Sequence, residues 1–163
     1  MKKYSDFYEA YKNKLFRFLV FRCGDSEVSS DIMQESFTRH YQYSINKPVL
    51  SPALLFTIAR NALVDYQRHE NKSILIQDYA PQHYTDIEAD IIAKEEYQTV
   101  TSAFKKLPRE DQEIMELVVA GLPYRQIGEI LELSEANTKV RIHRARARLR
   151  DILKNGENKW IIL

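Results

Sequence analysis

The 163-residue chain has a single cysteine, Cys23, so an internal disulfide is impossible and a reducing cytoplasm is the compartment that its composition favours. No apolar run approaches the roughly 20 residues of a membrane span, and the N-terminal stretch has no signal-peptide pattern, so we expect no membrane insertion. Only four glycines are present, and β-branched alternation is nearly absent. The sequence therefore predicts an all-α fold.

Residue patterns typical of enzymes are also missing. The four histidines, at positions 40, 69, 83 and 143, are scattered, and Glu35 and His40 do not have the spacing of a helical metal site. The sequence contains no glycine-rich phosphate loop, nucleophile elbow or cysteine cluster. We expect no enzyme activity, no catalytic residues, no metal and no cofactor.

Positive charge is strongly segregated in this chain. Its formal net charge is only +1, so any affinity for nucleic acid must come from a local concentration of cations. Six lysines or arginines and no acid lie between Lys139 and Arg150. A solvated helix face is the ordinary explanation of such a run, and binding to DNA phosphates and bases is the alternative.

The basic run belongs to residues 124–153, which read as two helices joined by a tight turn. Ser134 is placed to cap the second helix. An apolar stripe with a helical period follows, made of Thr138, Ile142, Ala145, Leu149 and Ile152. The opposite side carries Ala136, Lys139, Val140, His143 and Ala147, with Arg144, Arg146 and Arg148 at its margins. The pattern predicts a helix-turn-helix whose second helix enters a DNA major groove.

The N-terminal half predicts three helices. The first begins at a Ser5 cap and ends near Cys23, and the second is capped by Asp25 or Ser26. The third begins at Ser51-Pro52, a capping residue followed by proline. The second helix has a polar side with Asp31, Gln34 and Glu35. The third helix has an inward sector made of Leu55, Ile58, Ala59, Ala62 and Tyr66. Its opposite, polar face includes Arg60, Asn61, Asp65 and Arg68.

The chain divides into two helical domains. We assign residues 1–70 to the first domain, 71–84 to a flexible linker around Pro81, 85–154 to the second domain and 155–163 to a tail. Thr85 to Glu88 has capping-box spacing, and a helix from about residue 109 should stop at Gly121. A one-site DNA-binding regulator and an initiation factor with two nucleic-acid contacts both fit this organisation.

Three segments, in order along the chain, resemble the extracytoplasmic-function sigma factors of the bacterial sigma-70 family. They are SSDIMQESFTRHY at 29–41, LLFTIARNALVDYQR at 54–68, and the C-terminal region 107–149 with its SEANTKVRIHRAR string. The resemblance implies a sigma2-like N-terminal bundle and a sigma4-like helix-turn-helix domain. It also implies a factor that binds core RNA polymerase, directs it to promoters and helps to open the duplex.

The resemblance implies a role for each set of residues. Asp31, Gln34 and Glu35 match the face that docks on the clamp helices of the polymerase's largest subunit. Arg60, Asn61, Asp65 and Arg68 match the helix that engages the promoter −10 element, and residues 46–51 match the loop that captures a flipped base. Lys139, Val140, His143 and Arg144 match the −35 reading face, whereas Arg141, Arg146 and Arg148 are expected to contact phosphates. An anti-sigma factor is a further possible partner.

The chain departs from the family pattern in a few places. Leu54 and Tyr41 stand where the family often has tryptophan, Pro123 replaces the usual serine cap and Glu132 replaces a frequent turn glycine. We therefore expect a complete helix-turn-helix with a reshaped turn.

Overall fold

The computed structural model describes residues 2–70 and 87–156, and in these two stretches it contains seven helices and no strand. The predicted all-α class is confirmed. The predicted linker 71–84, the capping residue Thr85 and the tail from residue 157 onward lie outside the described residues. The helices are α1 (Lys2–Cys23), α2 (Ser26–Ser44), α3 (Pro52–Glu70), α4 (Ile87–Lys105), α5 (Arg109–Val119), α6 (Tyr124–Leu131) and α7 (Glu135–Asn155).

The predicted cap at Ser5 is wrong, because α1 already begins at Lys2 and Ser5 lies inside it. The early start is stabilised by Tyr4, whose hydroxyl donates to the Phe37 carbonyl oxygen of α2 at 2.9 Å. The other N-terminal caps are confirmed. The Asp25 side chain accepts from two amides at the start of α2, and Ser51 Oγ accepts from the Leu54 amide at 3.1 Å.

The N-terminal core lies between α1, α2 and α3. Phe18 and Phe56 pack edge to face with ring centroids 5.7 Å apart, which adds to the free energy of burying both rings. The inward side predicted for α3 is only partly right, because α3 also packs against α6. The fully buried residues of α3 are Leu55, Phe56, Ala59 and Leu63, whereas Ile58, Ala62 and Tyr66 are half-buried.

The C-terminal half is built on α5, α6 and α7. Gly121 follows α5 with a φ of 88°, which confirms the predicted left-handed end. Ser134 Oγ accepts from the Asn137 amide at 3.1 Å and so caps α7 as predicted. Of the predicted stripe on α7, the first four residues are buried, but Leu153 rather than Ile152 is the buried residue of the last turn.

The two halves are in contact: α1 packs against α5, and α3 packs against α6. In addition, Phe21 of α1 meets Phe104 of α4 edge to face, with ring centroids 4.9 Å apart. Among the described helices, none has the length and apolar character required to cross a membrane.

Candidate nucleic-acid interface

The junction between α6 and α7 fixes the angle at which α7 is presented. The Leu133 amide donates to the Gly128 carbonyl oxygen at 2.8 Å. A Cβ atom on Gly128 would lie 2.8 Å from Thr138 Oγ1 and 2.9 Å from the Leu133 carbonyl oxygen, so only glycine fits. Of the non-glycine residues that the structure describes, only Glu132 has a positive φ, 57°. The turn is therefore complete, and Glu132 adopts the left-handed conformation that the missing glycine would favour.

The residues predicted to form the −35 reading face lie on the exposed side of α7. Lys139, Val140, His143 and Arg144 are all exposed, and the Val140 side chain, at 46% exposure, is among the exposed large apolar residues. Lys139 is held loosely by Glu135, with 3.6 Å between Nζ and Oε1. A face with cationic donors, an imidazole and an apolar contact can address base edges in a major groove.

The three arginines predicted to contact phosphates already have partners within the chain. Arg141 lies 3.1 Å from a carboxylate oxygen of Glu110. Arg148 lies 2.5 Å from Asp111 Oδ2. Arg146 donates to the Tyr124 hydroxyl at 3.0 Å. Sequence reasoning missed these pairs, although the acidic first turn of α5 was a visible signal. Bound phosphates would have to compete with Glu110 and Asp111 for two of the three guanidinium groups.

The residues predicted for polymerase docking lie on α2, and two of them line a cavity. Asp31, Gln34 and Glu35 are all exposed. Asp31 and Glu35 contribute to the wall of a cavity of about 320 Å³ between α2 and α3, and Asp65 of α3 lines it as well. The cavity therefore combines carboxylates from the predicted docking face and from the predicted −10 face. Arg39 also lines the cavity and pairs with Glu35, which leaves Asp31 and Asp65 as the carboxylates without that partner. This acidic recess suits a basic side chain of a partner protein.

The polar face of α3 does not act as one surface. Asn61 and Arg68 are exposed, and Asp65 lines the cavity toward α2. Arg60 instead forms an ion pair with Glu113 of α5, in the C-terminal half. Of the four predicted −10 residues, three are thus exposed, with Asp65 also lining the cavity, whereas Arg60 is half-buried in a contact with the C-terminal half.

The loop that follows α2 is tied to the body of the N-terminal half at its middle and at its C-terminal end. Lys3 donates to the Pro48 carbonyl oxygen, and His40 Nε2 lies 2.9 Å from the Ser51 carbonyl oxygen. Burial lowers the pKa of His40, with the contact to Ser51 acting in the opposite direction. We assign the neutral imidazole, which donates through Nε2; its unprotonated Nδ1 lies 3.1 Å from the Tyr4 hydroxyl, whose single proton is shared between Nδ1 and the Phe37 carbonyl oxygen. Lys3 and His40 therefore anchor the loop that was matched to a base-capturing element.

Exposed apolar side chains lie in and beside this loop. Sequence reasoning selected the 46–51 loop, which includes Val49, but it did not select Tyr43 or Ile45. Tyr43 is 67% exposed, Ile45 61% and Val49 73%. Their signal in the sequence was the presence of large apolar residues at the end of α2 and in the short segment that follows it. Aromatic side chains in such a position can stack on unpaired bases.

A buried ion pair joins the two halves. Arg22 at the end of α1 and Glu116 of α5 are each 3% exposed, and Nη1 of Arg22 lies 3.9 Å from Oε2 of Glu116. Burial raises the pKa of the Glu116 carboxyl to about 7, while the nearby Arg22 guanidinium lowers it. The same burial lowers the pKa of Arg22. In the described stretches no group of three or more histidine, cysteine or acidic side chains could hold a metal ion.

Comparison with known proteins gives a consistent result. The family model of sigma-70 region 4 matches residues 97–149. The chain is 30% identical over 167 residues to the ECF RNA polymerase sigma factor SigM of Bacillus subtilis, and the match covers 94% of this chain and 96% of SigM. It is 25% identical to the RNA polymerase sigma factor SigZ of the same organism, over 91% of this chain and 86% of SigZ.

A solved structure has the same fold. The sigma factor RpoE of Bartonella quintana, in complex with the anti-sigma factor NepR, superposes with a TM-score of 0.68 at 21% sequence identity. The superposition covers 94% of this chain and 98% of that chain. At this level of identity the likeness concerns the fold.

Proposed function

Since this chain belongs to the extracytoplasmic-function sigma factors of the sigma-70 family, it is a transcription initiation factor, and we propose that it directs core RNA polymerase to promoters with a matching −35 and −10 pair and assists their melting. In this proposal residues 1–70 dock on the polymerase and engage the −10 element. Residues 85–154 engage the −35 element.

The observation that carries the proposal is the exposed face of α7. Lys139, Val140, His143 and Arg144 lie together on a helix whose opposite side is buried in the C-terminal core. The Ser134 cap and the close approach at Gly128 hold the N-terminal end of that helix in place. A rigid helix that projects donors and an apolar contact is the usual device for reading base edges.

The N-terminal half supports the second contact. The 46–51 loop is anchored by His40 and carries exposed apolar neighbours, which suits capture of an unstacked base. The acidic recess with Asp31 and Glu35 suits docking on basic residues of the polymerase clamp helices. An anti-sigma factor that covers these surfaces would hold the protein inactive, and a partner of this kind is part of the proposal.

The test is a selection of promoter sequences by wild-type protein and Arg144→Ala in transcription with purified core polymerase. We expect Arg144→Ala to relax the preference at one or two positions of the −35 element, because a good base contact contributes about 1–3 kcal/mol of discrimination. Lys154→Ala is the matched control, since it removes an equal charge from the exposed last turn of the same helix. Unchanged preference with Arg144→Ala would contradict the assignment of the reading face.

A further inference from the structure

His40 is a fully buried titratable side chain near the C-terminal end of α2. Its ring stacks on Phe7 of α1, with ring centroids 4.8 Å apart and an angle of 6° between the planes. This stacking fixes the plane of the imidazole, so that its two nitrogens are directed at partners on other elements.

The two ring nitrogens of His40 connect α1 to the start of α3. Nδ1 lies 3.1 Å from the Tyr4 hydroxyl of α1, and Nε2 lies 2.9 Å from the Ser51 carbonyl oxygen. Ser51 also caps α3. Its hydroxyl oxygen accepts from the Leu54 amide at 3.1 Å, and its carbonyl oxygen accepts from the Leu55 amide at 3.3 Å. His40 thus holds the residue at which the 46–51 loop ends and α3 begins.

The 46–51 loop depends on such contacts because most of it lies in solvent. Residues 45–49 are all exposed. Lys3 donates to the Pro48 carbonyl oxygen in the middle of the loop, and the bond from His40 fixes its C-terminal end. A loop that already has its binding conformation loses less conformational freedom when a ligand binds, which increases its affinity.

We propose that His40 is a positioning residue for capture of the unstacked −10 base, because its bond to the Ser51 carbonyl oxygen keeps the 46–51 loop in the conformation that receives the base. This inference rests on the proposed function for the ligand of the loop. The hold on the loop is a separate claim about the free protein, and it can be tested without DNA.

The hold requires the neutral form of His40. The ring is faced by Phe7 and Tyr4 from α1 and by Ser51 from the loop. Burial and the neighbouring Tyr41 raise the pKa of Tyr4 to about 12, so its hydroxyl stays uncharged. None of these groups is a carboxylate that could compensate a buried imidazolium, and Lys3 at the loop is itself a cation. Protonation therefore favours a conformation in which the ring leaves Ser51 for water, and acid should loosen the loop.

Three variants of the full chain separate the hydrogen bond from the packing. His40→Gln keeps a side-chain amide that can donate to the Ser51 carbonyl oxygen but does not titrate. His40→Leu fills the space with an apolar side chain and removes the donor. Phe18→Leu is the matched control, because it weakens the core of the same half through its contact with Phe56 and leaves the loop contacts in place.

Hydrogen exchange of the free protein measures the hold on the loop. We expect the loop amides of His40→Leu to exchange about three- to tenfold faster than those of wild type, which corresponds to the loss of one hydrogen bond. The loop amides of His40→Gln and Phe18→Leu should exchange like those of wild type. At pH 5.5 the loop of wild type should exchange faster than the loop of His40→Gln, whereas the two should agree at pH 7.5.

Base capture is measured with the same variants assembled with core RNA polymerase. The probe is the single-stranded non-template −10 strand of a promoter found by run-off transcription, either intact or with one abasic position. We expect wild type and His40→Gln to prefer the intact strand at the captured position. His40→Leu should lose about three- to tenfold of that preference, and all variants should bind duplex −35 DNA equally.

Four outcomes decide the inference. Equal loop exchange in wild type and His40→Leu would overturn it. Equal losses in His40→Gln and His40→Leu would also overturn it, because His40 would then only fill the core. An unchanged preference for the intact strand in a His40→Leu protein with a loosened loop would exclude the positioning role. If the loop loosens as predicted but core polymerase never initiates with this protein, the hold on the loop is supported and the proposed function fails.

Discussion

Replacing Gly128 by alanine should damage DNA binding more than it damages stability. The added Cβ would lie 2.8 Å from Thr138 Oγ1 and 2.9 Å from the Leu133 carbonyl oxygen, whereas an ordinary contact begins at 3.4 Å. The backbone oxygen cannot rotate away, and Thr138 is fully buried with its hydroxyl bonded to the Ser134 carbonyl oxygen at 2.8 Å. Consequently α6 and the start of α7 must move apart.

The stability cost follows from two opposing terms. Overpacking a tight contact costs about 1–3 kcal/mol, and alanine favours the helix over glycine by about 1 kcal/mol. The net loss in the free energy of unfolding should be about 1 kcal/mol. A shift at the start of α7 also moves Lys139 and Val140 away from the bases, so duplex −35 binding should weaken about tenfold or more.

Gly121→Ala is the matched control. Nothing lies within 4 Å of the added Cβ at Gly121, and its φ of 88° imposes only a backbone cost. That cost, about 1–2 kcal/mol for a left-handed residue, is partly offset by about 0.4–1 kcal/mol from a stiffer unfolded chain. The two variants should therefore be similarly destabilised.

The assay combines urea unfolding with fluorescence anisotropy on a duplex that carries the −35 element. We expect Gly121→Ala to bind like wild type and Gly128→Ala to bind much more weakly at a temperature where both are folded. Equal binding by the two variants would refute the argument that the α6–α7 contact sets the reading face.

Three further predictions follow from the contacts described above. Glu132→Gly should raise the free energy of unfolding by about 0.5–1 kcal/mol, because it relieves a left-handed φ of 57°. The control Glu129→Gly, inside a helix, should lower the free energy of unfolding by about 1 kcal/mol. Urea unfolding measures both changes. Asp111→Asn should free Arg148, strengthening duplex binding at low salt without altering base preference and lowering stability by about 1 kcal/mol, measured by anisotropy and urea unfolding. Because burial lowers the pKa of His40, the folded state favours the neutral ring, so His40 should contribute a loss of stability as the pH drops below 6.5. Glu116, whose pKa burial raises to about 7, contributes in the opposite direction. The His40 contribution is therefore measured as a difference: unfolding curves at pH 7.5 and 5.5 should show His40→Gln gaining stability relative to wild type at the lower pH.

Local signals in the sequence were sufficient for the helices with clear caps. Asp25, Ser51 and Ser134 each mark a helix start that the structure contains, because a short side-chain oxygen beside unpaired amides has few other roles. The Ser5 cap was predicted wrongly because a tertiary contact stabilises the first turn of α1. In that contact the Tyr4 hydroxyl bonds to α2. A cap residue alone could not reveal that contact.

The exposure of the residues assigned to the reading face could be predicted from the same helical period that predicted the buried stripe of α7. Thr138, Ile142, Ala145 and Leu149 bury one side, so a helical period puts Lys139 and His143 on the other. Periodicity says nothing about partners from other helices. The pairs of Arg141 with Glu110 and of Arg148 with Asp111 therefore emerged only from the structure.

Sequence patterns could not predict the contact between the two halves. Arg22 and Glu116 are separated by more than half of the chain, and each would ordinarily be expected on a solvated helix face. Arg60 was expected to contact DNA, and its pairing with Glu113 depends on how the halves meet. Pairings of this kind depend on tertiary geometry, which a single sequence does not encode in any short motif.

The most direct test of the account is run-off transcription with purified core RNA polymerase on a pool of promoter fragments from the host, with and without this protein. The account predicts transcripts that appear only when the protein is added and that begin downstream of a shared −35 and −10 pair. Binding of the protein to duplex DNA without any initiation by the core enzyme would contradict it, and would indicate a one-site DNA-binding regulator instead.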